Sequence, residues 1–237
     1  MNRSFPRLEV ALDEATVDHD FFFRDDDAGW ADDDLLELCN RFVARAPIDL
    51  AVIPEAVTPC LASHLIDHRA QLGFHQHGFA HHNHESAGKK CEFGAHRAEE
   101  DVVSDLGRGR ARLVELFGYR LDPIFTPPWN RCSHATIGAL QSIGIEVLSR
   151  DRGSLPKSPD GIIELPVAVD WIRWRDSIDE AIAGSIAIGE PTGVMLHHEV
   201  MDQSDLEKID DLLELLVNHP RAKVRSMMQL VRGRHGG

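Results

Sequence analysis

Apolar residues in this chain of 237 come in short, nearly continuous runs, separated by stretches with helical spacing. Residues Asp20-Phe21-Phe22-Phe23-Arg24-Asp25-Asp26 predict a first strand, with Gly29 closing the turn after it. Asp32, Asp33 and Asp34 then cap a helix with Leu35, Leu36, Leu38, Phe42 and Val43 on its apolar face and Pro47 at its end. A buried strand is predicted over 48–54, and a helix over 58–70 with Thr58 as cap and Pro59 in its first position. A third strand covers 71–78, and the polar, aperiodic segment 79–96 predicts the longest loop. The helix predicted over 97–118 is acidic at its start and basic later, as the helix dipole favours, although Gly107 and Gly109 weaken it. Further strands are expected over 123–127, 145–149, 162–170 and 193–197, and helices over 133–143, 176–188 and 205–217. A short strand starting at Val224 and a helix over 226–231 follow.

Strands that stay apolar instead of alternating are buried on both faces, and their alternation with helices across short loops marks parallel βα units. About seven such units predict an α/β chain forming one (β/α) barrel domain over residues 1–237. A doubly wound open sheet is the alternative. No G-x-G-x-x-G follows the first strand, which leaves a dinucleotide fold little support.

Charge narrows the partners. With 39 acidic and 25 basic residues the formal net charge is −14, and a nucleic-acid partner would need clustered cations instead. No run approaches the roughly 18 apolar residues of a spanning helix, so no membrane partner is expected. Met1 to Asp18 has no apolar segment of the kind that directs secretion, and a cytoplasmic location is expected. Cys39, Cys60, Cys91 and Cys132 are scattered, form no C-x-x-C pair, and are expected to be reduced thiols.

The predicted strand ends carry the chemistry: Asp25-Asp26-Asp27, His77 to His81, Pro127-Pro128-Trp129-Asn130, Asp170-Trp171 and His197-His198-Glu199. In a parallel barrel these ends share one face, where active sites lie. Five of the fourteen histidines fall between His75 and His84. His77 and His81, four apart, can reach one ion, and a carboxylate would complete a His₂Asp set of the zinc-hydrolase kind. Asp27, at the turn, can supply it. Strand alternation groups Phe22, Arg24 and Asp26 on one side, and Phe21, Phe23 and Asp25 on the other. If Arg24 and Asp26 face the barrel interior together, Arg24 can keep Asp26 ionised as a base. Solvated histidine and aspartate turns are the bland alternative for both clusters.

Taken in order, Arg24-Asp25-Asp26-Asp27-Ala28-Gly29, His77-Gly78-Phe79-Ala80-His81, Phe125-Thr126-Pro127-Pro128-Trp129, Asp170-Trp171 and Val194-Met195-Leu196-His197 resemble the five motifs of the polysaccharide deacetylases, carbohydrate esterase family 4. The resemblance runs from about Asp20 to His198. It implies a distorted (β/α)7 barrel and a metal-dependent hydrolase that removes an N-acyl, usually N-acetyl, group from amino sugars. It implies Asp26 as catalytic base, and Asp27, His77 and His81 as ligands of one divalent ion, zinc by expectation. His197 takes the place of the general acid, oriented by Asp170, with Trp171 as a hydrophobic wall and Pro128 and Trp129 as the groove wall that meets substrate. In two places the sequence departs from the family. Thr126 stands where the family's arginine holds the base, a role left to Arg24 or Arg131, and the last motif offers His198 beside His197.

The location expected above favours a small N-acylated sugar or glycoconjugate as partner over an extracellular polymer. A non-catalytic carbohydrate- or partner-binding barrel is one rival. A metal-dependent phosphoesterase, with Lys89, Lys90 and Arg97 near its phosphate, is another.

Overall fold

The computed structural model describes residues 4–234. Helices α1 (Pro6–Glu14), α2 (Asp32–Phe42), α3 (Pro59–Asp67), α4 (Glu99–Phe117), α5 (His134–Ser142), α6 (Ile178–Ile186), α7 (Gln203–Asn218) and α8 (Met227–Arg234) surround one parallel sheet. Its strands are β1 (His19–Ala28), β2 (Ile48–Val52), β3 (Leu72–His77), β4 (Leu121–Thr126), β5 (Val147–Leu148), β6 (Ile163–Glu164), β7 (Val169–Asp170), β8 (Thr192–Leu196) and β9 (Ala222–Val224). They run in the order β6-β5-β4-β3-β2-β1-β8-β7, with β9 against the start of β1.

The strand expected over 162–170 is split in two, and the split shapes the barrel. Leu165 and Val167 donate to the carbonyls of Leu148 and Arg150 on the β5 side, and then Ala168 and Trp171 donate to Gly193 and Met195 on β8. Pro166 stands between and has no N–H for either ladder. One extended stretch thus touches both edges of the curled sheet. Counted as one stave beside β1 to β5 and β8, it makes seven, the distorted (β/α)7 arrangement expected from the motifs.

Local signals account for most boundaries. Thr58 and Ser133 cap α3 and α5 by accepting from the N–H of Leu61 and Thr136, and Asp202 and Asp205 form a capping box on α7. Asp32 to Asp34 lie in the first turn of α2, where they complement the dipole, instead of capping it. The helix α4 runs unbroken through Gly107 and Gly109. A Cβ at Gly109 would stand 2.6 Å from Nε2 of Gln76, so the glycine lets α4 lie close against β3.

Alternation along β1 sorts the core. Phe21 and Phe23 join Leu35, Phe42, Leu50 and the α7 leucines between sheet and helices. Phe22 faces inward with Ile124, Val147, Leu165, Val167 and Met195, which fill the barrel below the site. The same alternation sends Arg24 and Asp26 into the interior and Asp25 outward.

Candidate active site

Arg24 is completely buried, and its guanidinium grips Asp26 through two bonds, Nε to Oδ1 at 2.7 Å and Nη2 to Oδ2 at 2.8 Å. Its remaining donors reach Oγ of Ser149 and Oδ1 of Asn130, each at 2.9 Å. Burial alone would raise the Asp26 carboxyl, but Arg24, with His77 and His197, holds it below the usual aspartate range. Of the two arginines weighed for this position, the one on β1 occupies it. Arg131 lies farther out and donates to the carbonyl of Lys90.

Next to this pair, Oδ1 of Asp27 lies 3.1 Å from Nε2 of His77 and 3.1 Å from Nε2 of His81. The three donor atoms fall within 4.8 Å of one another, the one such group among the described residues. Nδ1–H of His77 donates to the carbonyl of Thr126 at 3.0 Å, which turns the Nε2 lone pair toward Asp27. A lone pair facing a carboxylate oxygen at that distance calls for a proton or a cation between them, and two imidazoles plus one carboxylate suit zinc. Burial and the nearby His77 lower His81 to about 4, so its ring is neutral and able to ligate at pH 7.

The backbone here is strained. Asp27, His81, Trp129 and Asn130 take φ of 70°, 56°, 55° and 57°, although none is glycine. Each costs about 1–3 kcal/mol and persists where its surroundings over-determine it. Glu92 does much of that over-determination. It is 1% exposed, and its carboxylate accepts from the N–H groups of Phe79, Ala80 and His82 at 3.1, 2.7 and 3.4 Å. It therefore clamps the turn between the two histidines. Gly78, at φ 57°, passes so near that a Cβ would stand 2.1 Å from Oε2 of Glu92 and 2.5 Å from Cγ of Pro128. Sequence reasoning missed Glu92 inside the long loop. Its signal was an acid flanked by Cys91 and Phe93 in an otherwise polar segment.

The two C-terminal histidines part ways. His198 turns away from the metal-type triad: its Nδ1 pairs with Oδ2 of Asp25 at 2.7 Å and its Nε2 with the carbonyl of Trp30 at 2.8 Å. Burial opposes its charge, but Asp25 raises it to about 9. His197 stands near enough to Asp26 and Asp27 to help keep both ionised, and its buried Nδ1 has no partner among the described residues.

Three expected residues stand elsewhere. Asp170 does not reach His197: the chain turns at once after β7, and Oδ1 of Asp170 accepts from the N–H of Arg173. Trp171 is wholly buried between sheet and helices, its indole N–H donating to Asp205 at 3.0 Å, and offers a substrate no surface. Pro128 is buried and packs against Gly78 in the turn between His77 and His81. Trp129 does reach the site, its ring 4.4 Å from that of His81, with Trp30 at 5.0 Å on another side of the imidazole. His75 is buried deeper, bonded to Oγ1 of Thr126 at 3.0 Å and lowered by burial to about 3, and His82 and His84 are exposed.

No family model and no curated protein matches the sequence. Solved structures do match in fold. A Mycobacterium smegmatis protein named for the polysaccharide deacetylases superposes at TM-score 0.68, with 16% identity over 94% of this chain and 93% of its own. T48 deacetylase, solved with substrate, gives TM-score 0.59 with 15% identity and 92% of each chain covered. A family 4 acetyl xylan esterase from Clostridium thermocellum, in complex with a cobalt ion, gives 0.60 with 12% identity over 91% of this chain and 92% of its own. Together with the seven staves and the ordered motifs, these likenesses show that the chain has the fold of the polysaccharide deacetylases of carbohydrate esterase family 4.

Proposed function

We propose that this protein is a metal-dependent deacetylase that hydrolyses the N-acyl, by preference N-acetyl, group of an amino sugar or related small glycoconjugate. The observation that carries the reading is the Asp27, His77 and His81 set beside an Asp26 locked to a buried Arg24. A divalent ion held by those three side chains, zinc by its donor set, would supply Lewis acidity toward an acyl carbonyl and a water.

The chain's own residues do the rest. Asp26, kept ionised by Arg24, accepts a proton from the attacking water. His197, near both carboxylates and with a free buried Nδ1, holds the proton that the departing amine needs. Without that proton the tetrahedral adduct would expel oxygen instead of nitrogen. Trp129 and Trp30 flank His81 and restrict water at the mouth.

The test is acetate release from small N-acetylated sugars by protein stripped with chelator and then reloaded with zinc. Activity that disappears on stripping and returns on reloading supports the reading. Full activity in the stripped protein, or failure of the purified chain to bind zinc, defeats it.

A further inference from the structure

A groove of about 370 Å³ opens beside the site and shares Trp129 and Asn130 with it, with Lys89, Arg131 and Asp151 among its other walls. Asn130 is one of the residues that hold Arg24, and the Trp129 ring packs on His81, so whatever fills this groove lies against the reacting centre. Asp151 is exposed and lies close enough to Arg24, Asp26, Asp170 and Arg131 to feel the charge of each. Lys89 and Arg131 also line the groove, and Nζ of Lys90 sits over the Trp129 ring at 5.8 Å.

None of these three cations forms a salt bridge among the described residues, and Arg131 spends one donor on a backbone carbonyl. Composition does not explain the cluster. In a chain with 39 acids and 25 bases, most of the surface repels anions, and three unpaired cations around one groove make a local exception. Arginine and lysine together suit an oxyanion, arginine by its forked donors and lysine as a mobile point charge.

We infer that the groove takes an amino sugar bearing a phosphate or carboxylate, with Lys89 and Arg131 binding that anion while its N-acyl group lies at Asp27, His77 and His81. The inference rests on the deacetylase reading for its acyl group and on the groove's charges for its anion.

Two measurements separate these supports. In the first, zinc-loaded protein is assayed on N-acetylglucosamine, its 1- and 6-phosphates and N-acetylmuramic acid. At least one anionic sugar should exceed the neutral one at least ten-fold in kcat/KM, mainly through KM, and lose the advantage as salt rises. Comparing the phosphates with the carboxylate shows which anion is preferred. In K89A/R131A the anionic-to-neutral ratio should fall at least ten-fold. A neutral sugar turned over as well as every anionic one, or a ratio unchanged in the variant, overturns the inference.

The second measurement is calorimetric binding of the same phosphosugars, which needs no turnover. Binding that weakens at least ten-fold in K89A/R131A supports the anion site even if no acetate is released, a result that would count against deacetylation alone. Equal binding by both proteins overturns it.

Discussion

Two buried aspartates at opposite ends of the barrel meet opposite fates. Asp26, at the mouth, has the Arg24 guanidinium on both oxygens and stays ionised below the usual aspartate range. Asp49, at the foot of β2, is equally buried, but no cation holds it among the described residues. One oxygen accepts from the N–H of Met227, the other has no partner among the described residues, and burial pushes the group up to about 8. Asp122 lies on the same side and adds to that rise. Burial alone therefore does not make a base. The mouth is built to keep a charge and the foot to lose one, and the difference is a single arginine placed one inward step before the acid.

The comparison can be broken at several points. The largest effect should come from His77→Ala, which removes the imidazole held by the Thr126 carbonyl; zinc content by elemental analysis and acetate release should both fall, the latter at least about a thousand-fold. Arg24→Met makes the mouth resemble the foot. Turnover should drop about a hundred-fold with zinc content unchanged, and loss of zinc along with rate would show that Arg24 serves the fold instead of the base. Glu92→Gln keeps the shape but weakens the clamp on the ligand turn, and zinc titration of the stripped protein should show affinity lowered about ten-fold.

The smallest effect is expected at the foot. Because the folded pKa of Asp49 lies above its unfolded value, the fold keeps a proton that the unfolded chain has released. Stability from this group is full below an ordinary aspartate pKa near 4, and it falls as pH rises toward about 8. Asp49→Asn should remove that slope. Thermal melts at pH 5 and pH 8 should differ by on the order of 5 °C less in the variant than in the parent. Equal slopes would mean that Asp49 is ionised after all.

What could be read in the sequence follows from periodicity. The two-residue alternation of β1 separated Arg24 and Asp26 from Asp25 before any coordinates, because one face of that strand admits only one register. The ends of β3 and β8 were legible from their polar clusters and the order of the motifs, with His197 and His198 both left open. Where the chain leaves the sheet, that rule lapses. Asp170 ends a two-residue strand and Trp171 lies just past it, and nothing in their order tells whether the indole turns to the groove or the core. The strand expected over 162–170 missed the break at Pro166, whose lack of an N–H accounts for it only once the ladders on either side are seen. Glu92 was hidden because its partners are backbone amides, which every sequence possesses and none advertises. Helix α1, over Pro6–Glu14, went unpredicted, since it buries only Leu8 and Leu12.

The bond from His77 to the carbonyl of Thr126 has one more consequence. A main-chain acceptor belongs to the position, whatever amino acid occupies it, so the orientation of the His77 ring is indifferent to the side chain at 126. The threonine hydroxyl is then free to serve His75, while Asp26 is restrained by Arg24 from its own strand, with β2 and β3 between that strand and Thr126. The orientation of the His77 ring and the restraint of Asp26 thus come from different strands, β4 and β1, and a substitution at one need not disturb the other.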